Sequence, residues 1–310
     1  MATDTTVTLC GLTLPGPLVL ASGIWGSSAD TMARVARAGA GAVTSKSCSL
    51  EPRAGHPNPT VLDWGGGIIN AVGLSNPGAA AEAEVLRAAR RGMASTGAAL
   101  IASVFGNTLA GFVESTRRVA AAQPDAIEIN ISCPNVESEF GRPFALDRVA
   151  AAEVTAAVRA AYEGPLLVKL SPNAPDLADV AAAVADAGAD GITAVNTLGP
   201  GMVIDIHAGC PVLTNRVGGV SGMALRPIAL RCVYDIARAV DLPIIGTGGV
   251  RSGRDAMAMI MVGATAVGVG SALQAEGPEV FPRIHHELRA LMRQEGYERL
   301  ADFRGCAHER

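Results

Sequence analysis

The sequence predicts a single α/β domain over residues 1–310, folded as a (β/α)8 barrel of the TIM type. Eight short apolar segments alternate with eight segments of helical spacing, and regular alternation of this kind indicates a parallel sheet. A Gly-Ala joint between a helix and the next strand recurs at 38–43, 187–192 and 262–267. A doubly wound open sheet is the alternative fold, but no Gly-x-Gly-x-x-Gly opens the first unit.

The strands are predicted from runs of apolar and β-branched residues, which suit a buried and pleated environment. A short hairpin over residues 6–16 precedes them as a cap. The eight predicted barrel strands span residues 18–23, 41–47, 100–105, 125–132, 165–171, 191–197, 242–249 and 266–272.

The helices are predicted from apolar positions that recur every three or four residues. Asp147 is a suitable N-cap for the fourth helix, and the glycine of each repeated joint suits a helix C-cap. The eight predicted helices span residues 29–38, 79–95, 109–121, a segment that starts near 147, 175–187, 226–239, 252–262 and 277–294.

Two long segments interrupt the alternation. Residues 51–80 follow the second strand and contain four prolines and three consecutive glycines, and residues 198–222 follow the sixth strand. Both are predicted to be irregular excursions. Connections of this length without secondary structure are uncommon in compact domains, so both are expected to serve the function.

Bulk composition narrows the classes of function. The net charge of −4 gives no reason to expect nucleic acid or an anionic membrane surface as a partner. No apolar run reaches the length of a membrane span, and the N-terminus lacks the basic start and apolar core of a signal peptide. We therefore expect a cytoplasmic protein.

The six cysteines, at positions 10, 48, 133, 210, 232 and 306, form no Cys-x-x-Cys pair. Their spacing argues against a zinc or iron–sulfur site held by this chain alone, so no metal ligand is predicted. In a cytoplasmic protein such scattered cysteines are expected to remain thiols.

The basic residues are almost all arginine, since only Lys46 and Lys169 among the 25 are lysine. Both lysines lie in predicted strands, where a buried ammonium must be paired or functional. Lysine is a compact point charge that titrates, whereas arginine is a wide and permanently charged fork. The two lysines are therefore candidates for a site.

Polar residues collect at the carboxyl ends of the predicted strands, which is where (β/α)8 barrels place their sites. The fourth strand delivers Asn130 and Cys133, followed by Asn135, and the sixth ends at Asn196. Asn70 lies in the first excursion. Because an amide both donates and accepts hydrogen bonds, the asparagines predict recognition of a planar ligand with alternating donors and acceptors.

Glycines at the ends of the last two strands indicate a phosphate pocket. Gly248 and Gly249 follow the seventh strand, and Gly270 and Ser271 follow the eighth, so their backbone N–H groups are free to bind an anion. With no dinucleotide fingerprint, the pocket favours a mononucleotide such as FMN. Lys169 is then expected at the polar edge of the flavin, where its charge stabilises the reduced ring.

These motifs resemble the class 1 dihydroorotate dehydrogenases over essentially the whole chain. The shared motifs, in chain order, are Ile-Asn-Ala-Val-Gly-Leu-Ser-Asn-Pro-Gly, Asn-Ile-Ser-Cys-Pro-Asn, Lys-Leu-Ser-Pro-Asn, Val-Asn-Thr with Gly-Met-Val-Ile-Asp-Ile, and Gly-Thr-Gly-Gly-Val. The resemblance implies FMN-dependent oxidation of dihydroorotate to orotate in pyrimidine biosynthesis. The expected catalytic residues are Cys133, as the general base, and Lys46.

The resemblance also assigns binding residues. The expected substrate-binding residues are Lys46, Asn70, Ala71, Val72, Gly73, Leu74, Asn130, Asn135, Asn196 and Thr197. The expected FMN-binding residues are Ala21, Ser22, Gly23, Lys46, Ser47, Ser103, Asn130, Lys169, Val195, Gly222, Gly248, Gly249, Gly270 and Ser271.

Within class 1, the sequence resembles the B subtype in its Asn-Ala-Val-Gly-Leu-Ser-Asn-Pro-Gly motif and its closing Gly-Cys-Ala-His. That subtype implies a homodimer of this chain joined to a second subunit that carries FAD and a 2Fe-2S cluster and reduces NAD. Residues 135–143 depart from the family because they lack its paired glycines.

Three alternatives remain at this point. An A-subtype enzyme would pass its electrons to fumarate, and a related flavin barrel of the dihydropyrimidine dehydrogenase type would reduce pyrimidines. A subunit that only docks a partner would bind no flavin.

Overall fold

Strands and helices alternate along the residues that the computed structural model describes, 3–132 and 144–309. The strands are β1 (Val7–Leu9), β2 (Leu12–Leu14), β3 (Leu18–Leu20), β4 (Ala42–Thr44), β5 (Val61–Asp63), β6 (Ile68–Asn70), β7 (Ala99–Val104), β8 (Ala126–Asn130), β9 (Leu166–Leu170), β10 (Gly191–Ala194), β11 (Leu198–Gly201), β12 (Ile204–Asp205), β13 (Cys210–Pro211), β14 (Gly218–Ser221), β15 (Ile244–Thr247) and β16 (Ala266–Val269). The α-helices are α1 (Ala29–Arg37), α2 (Ala79–Met93), α3 (Leu109–Ala120), α4 (Arg148–Arg159), α5 (Leu177–Asp186), α6 (Arg226–Ala239), α7 (Gly253–Met261), α8 (Ala272–Glu276) and α9 (Val280–Glu295).

Eight parallel strands close into a barrel in the order β10-β15-β16-β3-β4-β7-β8-β9. Every neighbouring pair in that order is parallel, and helices connect successive strands, so the predicted (β/α)8 barrel is confirmed. The predicted strand from 266 to 272 ends earlier, at Val269, because the short helix α8 begins at Ala272.

The helix boundaries follow from local chemistry. Asp147 caps α4 as predicted, since its carboxylate accepts hydrogen bonds from the backbone N–H groups of Val149 at 2.8 Å and Ala150 at 3.2 Å. The joint glycines Gly39 and Gly188 have φ values of 100° and 99°, which glycine adopts without steric cost. The same joint therefore ends a helix at separate points of the barrel.

The N-terminal hairpin of β1 and β2 closes the amino-terminal end of the barrel. Leu9 and Leu14 are fully buried and pack in one cluster with barrel-interior side chains such as Val19, Ile101 and Leu167. The segment before the hairpin contacts the C-terminal part of the chain, because the Asp4 N–H donates to the carbonyl of Glu298 at 2.8 Å. The barrel is therefore solid at this end.

The two excursions are not irregular, contrary to the prediction. β5 and β6 come from the first and β11 and β14 from the second, and they form one antiparallel sheet in the order β11-β14-β6-β5. Asn70 is the register partner of Gly219, and Ile68 that of Ser221. Strands of three or four residues that pair across about 150 positions of sequence leave no local signal, which explains the difference.

We predict that Leu14→Ala lowers the free energy of unfolding by about 2–5 kcal/mol, since it leaves a cavity beneath the barrel interior. Urea unfolding followed by circular dichroism measures the change. The control is Thr13→Ala, an exposed position of the same strand, which is expected to change stability by at most about 0.5 kcal/mol. Equal effects of the two substitutions would contradict a plugging role for the hairpin.

Candidate active site

A cavity of about 490 Å³ opens at the carboxyl ends of the barrel strands. Parallel strands bring their ends to one rim, so Lys46 after β4, Asn130 at the end of β8 and Asn196 after β10 meet there. The sheet built from the two excursions supplies another wall, through residues such as Asn70 and Gly219.

The structure brings nearly all the predicted site residues together. The predicted residues that line the cavity are Ala21, Ser22, Gly23, Lys46, Ser47, Asn70, Ala71, Val72, Gly73, Leu74, Asn130, Lys169, Val195, Asn196, Thr197, Gly222, Gly248, Gly249, Gly270 and Ser271.

Among the described residues, one predicted site residue is not part of this lining. Ser103, expected to bind the cofactor, is fully buried one layer below, where its hydroxyl contacts Ser47 and Glu128. A side chain that solvent cannot reach cannot touch a ligand in the cavity, so direct contact with a cofactor is not supported. Cys133 and Asn135 lie outside the described residues.

Other lining residues were missed by the sequence reasoning. They are Ile24, Trp25, Val61, Ile68, Gly219, Ser221, Leu225, Thr247, Gly268 and Gln274. Trp25 and Thr247 lie close to predicted strand ends, so the same rule of strand termini would have found them. Val61, Ile68 and Ser221 reach the cavity only because the excursions pair with each other, which the sequence does not reveal.

Lys46 and Lys169 make the cavity electropositive. Lys169 is buried in β9, and across residues 3–132 and 144–309 neither ammonium forms a salt bridge. Burial lowers the pKa of Lys46, and the positive charge of Lys169 lowers it further, while Glu82 opposes the shift. A half-buried and a buried cation, neither of them in a salt bridge with a carboxylate of the described residues, fit a cavity built for an anionic ligand.

Glu82 is a buried carboxyl group close enough to Lys46 to affect its pKa. It lies in the first turn of α2, its side chain is 1% exposed, and its Oε1 atom has no hydrogen-bond partner among the described residues. Burial raises its pKa to about 7, although the Ser45 hydroxyl and the charge of Lys46 both favour the ionised form. Glu82 therefore titrates near neutral pH.

A network of amides and hydroxyls forms the floor of the cavity. The Asn196 amide donates to Ser132 Oγ at 2.7 Å, and Ser132 Oγ donates to Asn130 Oδ1 at 2.6 Å. The Asn130 amide in turn donates to Ser47 Oγ at 3.1 Å. Each predicted asparagine on this floor is thus fixed by a neighbour rather than free to rotate.

Glycines dominate the opposite part of the lining. Gly222, Gly248, Gly249 and Gly270 all face the cavity, followed by Ser271. A Cβ added at Gly249 would lie only 2.6 Å from the carbonyl oxygen of Gly222, so any side chain there would force these two loops apart. The loops therefore approach as closely as only glycine allows, and the phosphate pocket expected at these residues stays a prediction.

The comparisons with known proteins agree with this site. The model of the family described as dihydroorotate dehydrogenase matches residues 4–292. A protein of Methanothermobacter thermautotrophicus, named dihydroorotate dehydrogenase B (NAD(+)), catalytic subunit, is 42% identical over 301 residues, which cover 97% of each chain. This chain belongs to the dihydroorotate dehydrogenase family.

Other members of the family are similar over the same length. Proteins of Methanosarcina mazei and Pyrococcus abyssi bear the same name as the Methanothermobacter protein and are 42% and 37% identical. The alignments cover 97% of this chain in both cases, and 95% and 98% of the relatives. Membership of this family makes the chain an oxidoreductase.

A solved structure described as dihydroorotate dehydrogenase of Eimeria tenella in complex with ferulenol superposes with a TM-score of 0.86. The superposition covers 99% of this chain and 89% of that one, at 24% identity, and it supports the barrel fold. Among the described residues, no helix combines the length and apolarity that a membrane span needs, and no cluster of three or more potential metal ligands occurs.

We predict that Glu82→Gln stabilises the protein more at pH 8 than at pH 5, by up to about 3 kcal/mol. The folded pKa is about 7 and the ordinary value is 4.5, so the unfolded chain ionises first as the pH rises between them. The wild type therefore loses stability across that window, and glutamine, which carries no charge, avoids the loss.

Urea unfolding at the two pH values measures this difference. The control is Glu84→Gln on the same helix, where the carboxylate is exposed, and no pH-dependent gain is expected there. A gain for Glu82→Gln that is the same at pH 5 and pH 8 would contradict the assigned titration.

Proposed function

We propose that this chain is the FMN-dependent catalytic subunit of a B-subtype class 1 dihydroorotate dehydrogenase, which oxidises dihydroorotate to orotate in pyrimidine biosynthesis. The observation that carries the proposal is the cavity itself. It combines two lysines with amides from the barrel rim and the excursion sheet, in a chain whose near full-length relatives bear this name.

The substrate end of the cavity is assigned to Lys46, Asn70, Asn130 and Asn196, which all line it. The ammonium of Lys46 suits the substrate carboxylate as a compact point charge. The three amides offer the hydrogen-bond donors and acceptors that the ring amides of a dihydropyrimidine require. Residues 71–74 and Thr197 border the same space and complete the proposed contact surface.

Cys133 is assigned as the group that accepts the proton removed from the substrate. Oxidation of the dihydropyrimidine removes a proton from the carbon next to a carbonyl and a hydride from the neighbouring carbon. The preceding residue, Ser132, is buried and hydrogen-bonded to both cavity-lining amides, those of Asn130 and Asn196, and this neighbourhood supports the assignment. A thiolate at that position would accept the proton as general base.

The glycine-rich part of the lining fits FMN. Gly222, Gly248, Gly249, Gly270 and Ser271 would hold the phosphate with backbone N–H groups and a hydroxyl.

The other proposed flavin contacts are Ala21, Ser22, Gly23, Lys46, Ser47, Asn130, Lys169 and Val195. Lys169 would place its positive charge at the flavin's polar edge. When bound, FMN supplies the acceptor for the substrate's hydride.

The rest of the proposal concerns the partner subunit, the oligomeric state and the cellular location. The relatives are named as catalytic subunits of an NAD(+) enzyme, which supports a partner subunit for this chain. We assign FAD and a 2Fe-2S cluster to that partner, and a homodimer of this chain to the core of a heterotetramer. The protein would act in the cytoplasm, as one domain over residues 1–310.

The proposal is tested by purifying the chain alone and with its partner subunit. We expect a flavin absorption spectrum that yields about one FMN per chain, and NAD reduction by dihydroorotate only when the partner is present. Turnover with fumarate by this chain alone would move it to the A subtype. A colourless protein that does not turn over dihydroorotate after FMN is added would overturn the proposal.

We predict that Cys133→Ala retains bound FMN and loses at least about 100-fold in turnover, since a positioned general base contributes that much or more. Anaerobic reduction of the flavin by dihydroorotate, followed by stopped-flow absorbance, measures the step directly. Cys210→Ala, an exposed thiol of β13 outside the cavity lining, is the matched control and should keep full activity. Full activity of Cys133→Ala would refute the assignment.

A further inference from the structure

A buried glutamate, Glu128, lies in the barrel interior below the cavity and is not explained by the proposed chemistry. Its side chain is 1% exposed. Its Oε1 accepts a hydrogen bond from the Ser103 hydroxyl at 3.1 Å, and its Oε2 accepts one from the Thr193 hydroxyl at 2.8 Å. A carboxylate inside a barrel costs free energy to bury, so a compensating use is expected.

Glu128 is the end of a continuous chain of hydrogen bonds. The Ser103 hydroxyl, which donates to Glu128, lies 2.8 Å from the Ser47 hydroxyl. Ser47 Oγ accepts from the amide of Asn130, and Asn130 Oδ1 accepts from both the N–H and the hydroxyl of Ser132. These hydrogen bonds thus run without a break from Glu128 in the barrel interior to the floor of the cavity.

Which group donates and which accepts in each of these hydrogen bonds follows from the contact at Glu128. A hydroxyl group has a single hydrogen, and that of Ser103 is donated to Glu128 Oε1. Because the Ser103 hydrogen is donated to Glu128, the Ser47 hydroxyl must be the donor in the contact between the two serines. Ser47 then has only its oxygen to offer to Asn130, and the side of Asn130 that faces it must be the NH₂ group.

The same direction extends to the second cavity asparagine. Asn130 turns its oxygen toward Ser132, so the Ser132 hydroxyl donates to it and accepts from the Asn196 amide. The Asn196 oxygen is used by the N–H of Thr197 at 2.8 Å. Each asparagine therefore keeps one N–H for a ligand, whereas its single side-chain oxygen is used by the protein.

We propose that Glu128 is a positioning residue that helps to hold Asn130 and Asn196 as hydrogen-bond donors toward the cavity. The backbone N–H groups of Ser132 and Thr197 orient the same two amides by donating to their side-chain oxygens. Glu128 touches neither substrate nor cofactor, and it acts through Ser103 and Ser47. Two donors fixed in this way recognise carboxylate or carbonyl oxygens and reject a ligand that presents N–H groups there. The identification of that ligand as dihydroorotate or orotate rests on the proposed function.

The first test measures orotate binding to the FMN-loaded protein from the change in flavin absorbance. Ser103→Ala removes the link between Glu128 and Ser47, and we expect orotate to bind about tenfold more weakly. The KM for dihydroorotate should rise by a similar factor while kcat stays within about twofold, because fixed donors bind the substrate and the transition state alike. Orotate affinity that is unchanged in Ser103→Ala would overturn the proposal.

The matched control is Ser115→Ala. Ser115 is also fully buried, its hydroxyl has no partner among the described residues, and it lies in α3 outside the cavity. It makes the same chemical change without touching the chain of hydrogen bonds. Orotate binding should be unchanged, and a tenfold loss in this control would show that any buried serine matters equally and would overturn the positioning role.

A double-mutant cycle separates positioning from general packing. Glu128→Met removes the acceptor, and its effect on orotate affinity should not add to that of Ser103→Ala, because both interrupt one chain. Full additivity would overturn the proposal. If Glu128→Met does not fold, Ser103→Ala and the measurement below still decide it.

Neutron diffraction from deuterium-exchanged crystals of the wild-type protein reads the direction without any assay. We expect the Ser103 deuterium to point at Glu128 and the Ser47 deuterium to point at Ser103. The reverse order of the two serines would overturn the inference. A protein that shows the expected order yet neither binds flavin nor turns over dihydroorotate would refute only the proposed function.

Discussion

The pairing of β6 with β14 is the constraint on which the cavity depends. It joins two excursions that are far apart in sequence, with Ile69 opposite Val220 at its centre. Ile69 is fully buried there with Ala71 and Leu213, so the excursion sheet has a small apolar core of its own. The sheet therefore remains fixed against the rim of the barrel and holds Asn70 in the cavity wall.

The barrel interior changes in character from one end to the other. Leu9 and Leu14 begin an apolar layer at the amino-terminal end, and Ser103, Glu128 and Thr193 form a polar layer above it. The lysines and asparagines of the cavity lie above that. An apolar filling throughout would give a more stable barrel, so the polar layer is best understood as the support that the site requires.

Much of the fold and part of the site could be predicted from the sequence. The barrel followed from alternation, and the rule that strand ends converge correctly brought Asn130, Lys169 and Asn196 together. Ser103 shows where that rule stops, because alternation identifies interior positions but not how deep each layer lies. The excursion sheet and the buried side chain of Glu82 depend on contacts between distant segments, which no local pattern encodes.

The hairpin that closes the amino-terminal end of the barrel has a consequence for synthesis on the ribosome. The hairpin of β1 and β2 emerges before the barrel strands, yet the surface it covers includes Ala266 of β16, and the segment before it binds the backbone of Glu298. Its leucines have no complete binding surface until the last barrel strand has left the exit tunnel. The hairpin thus precedes the barrel strands in synthesis but can complete its docking only after the last of them has formed.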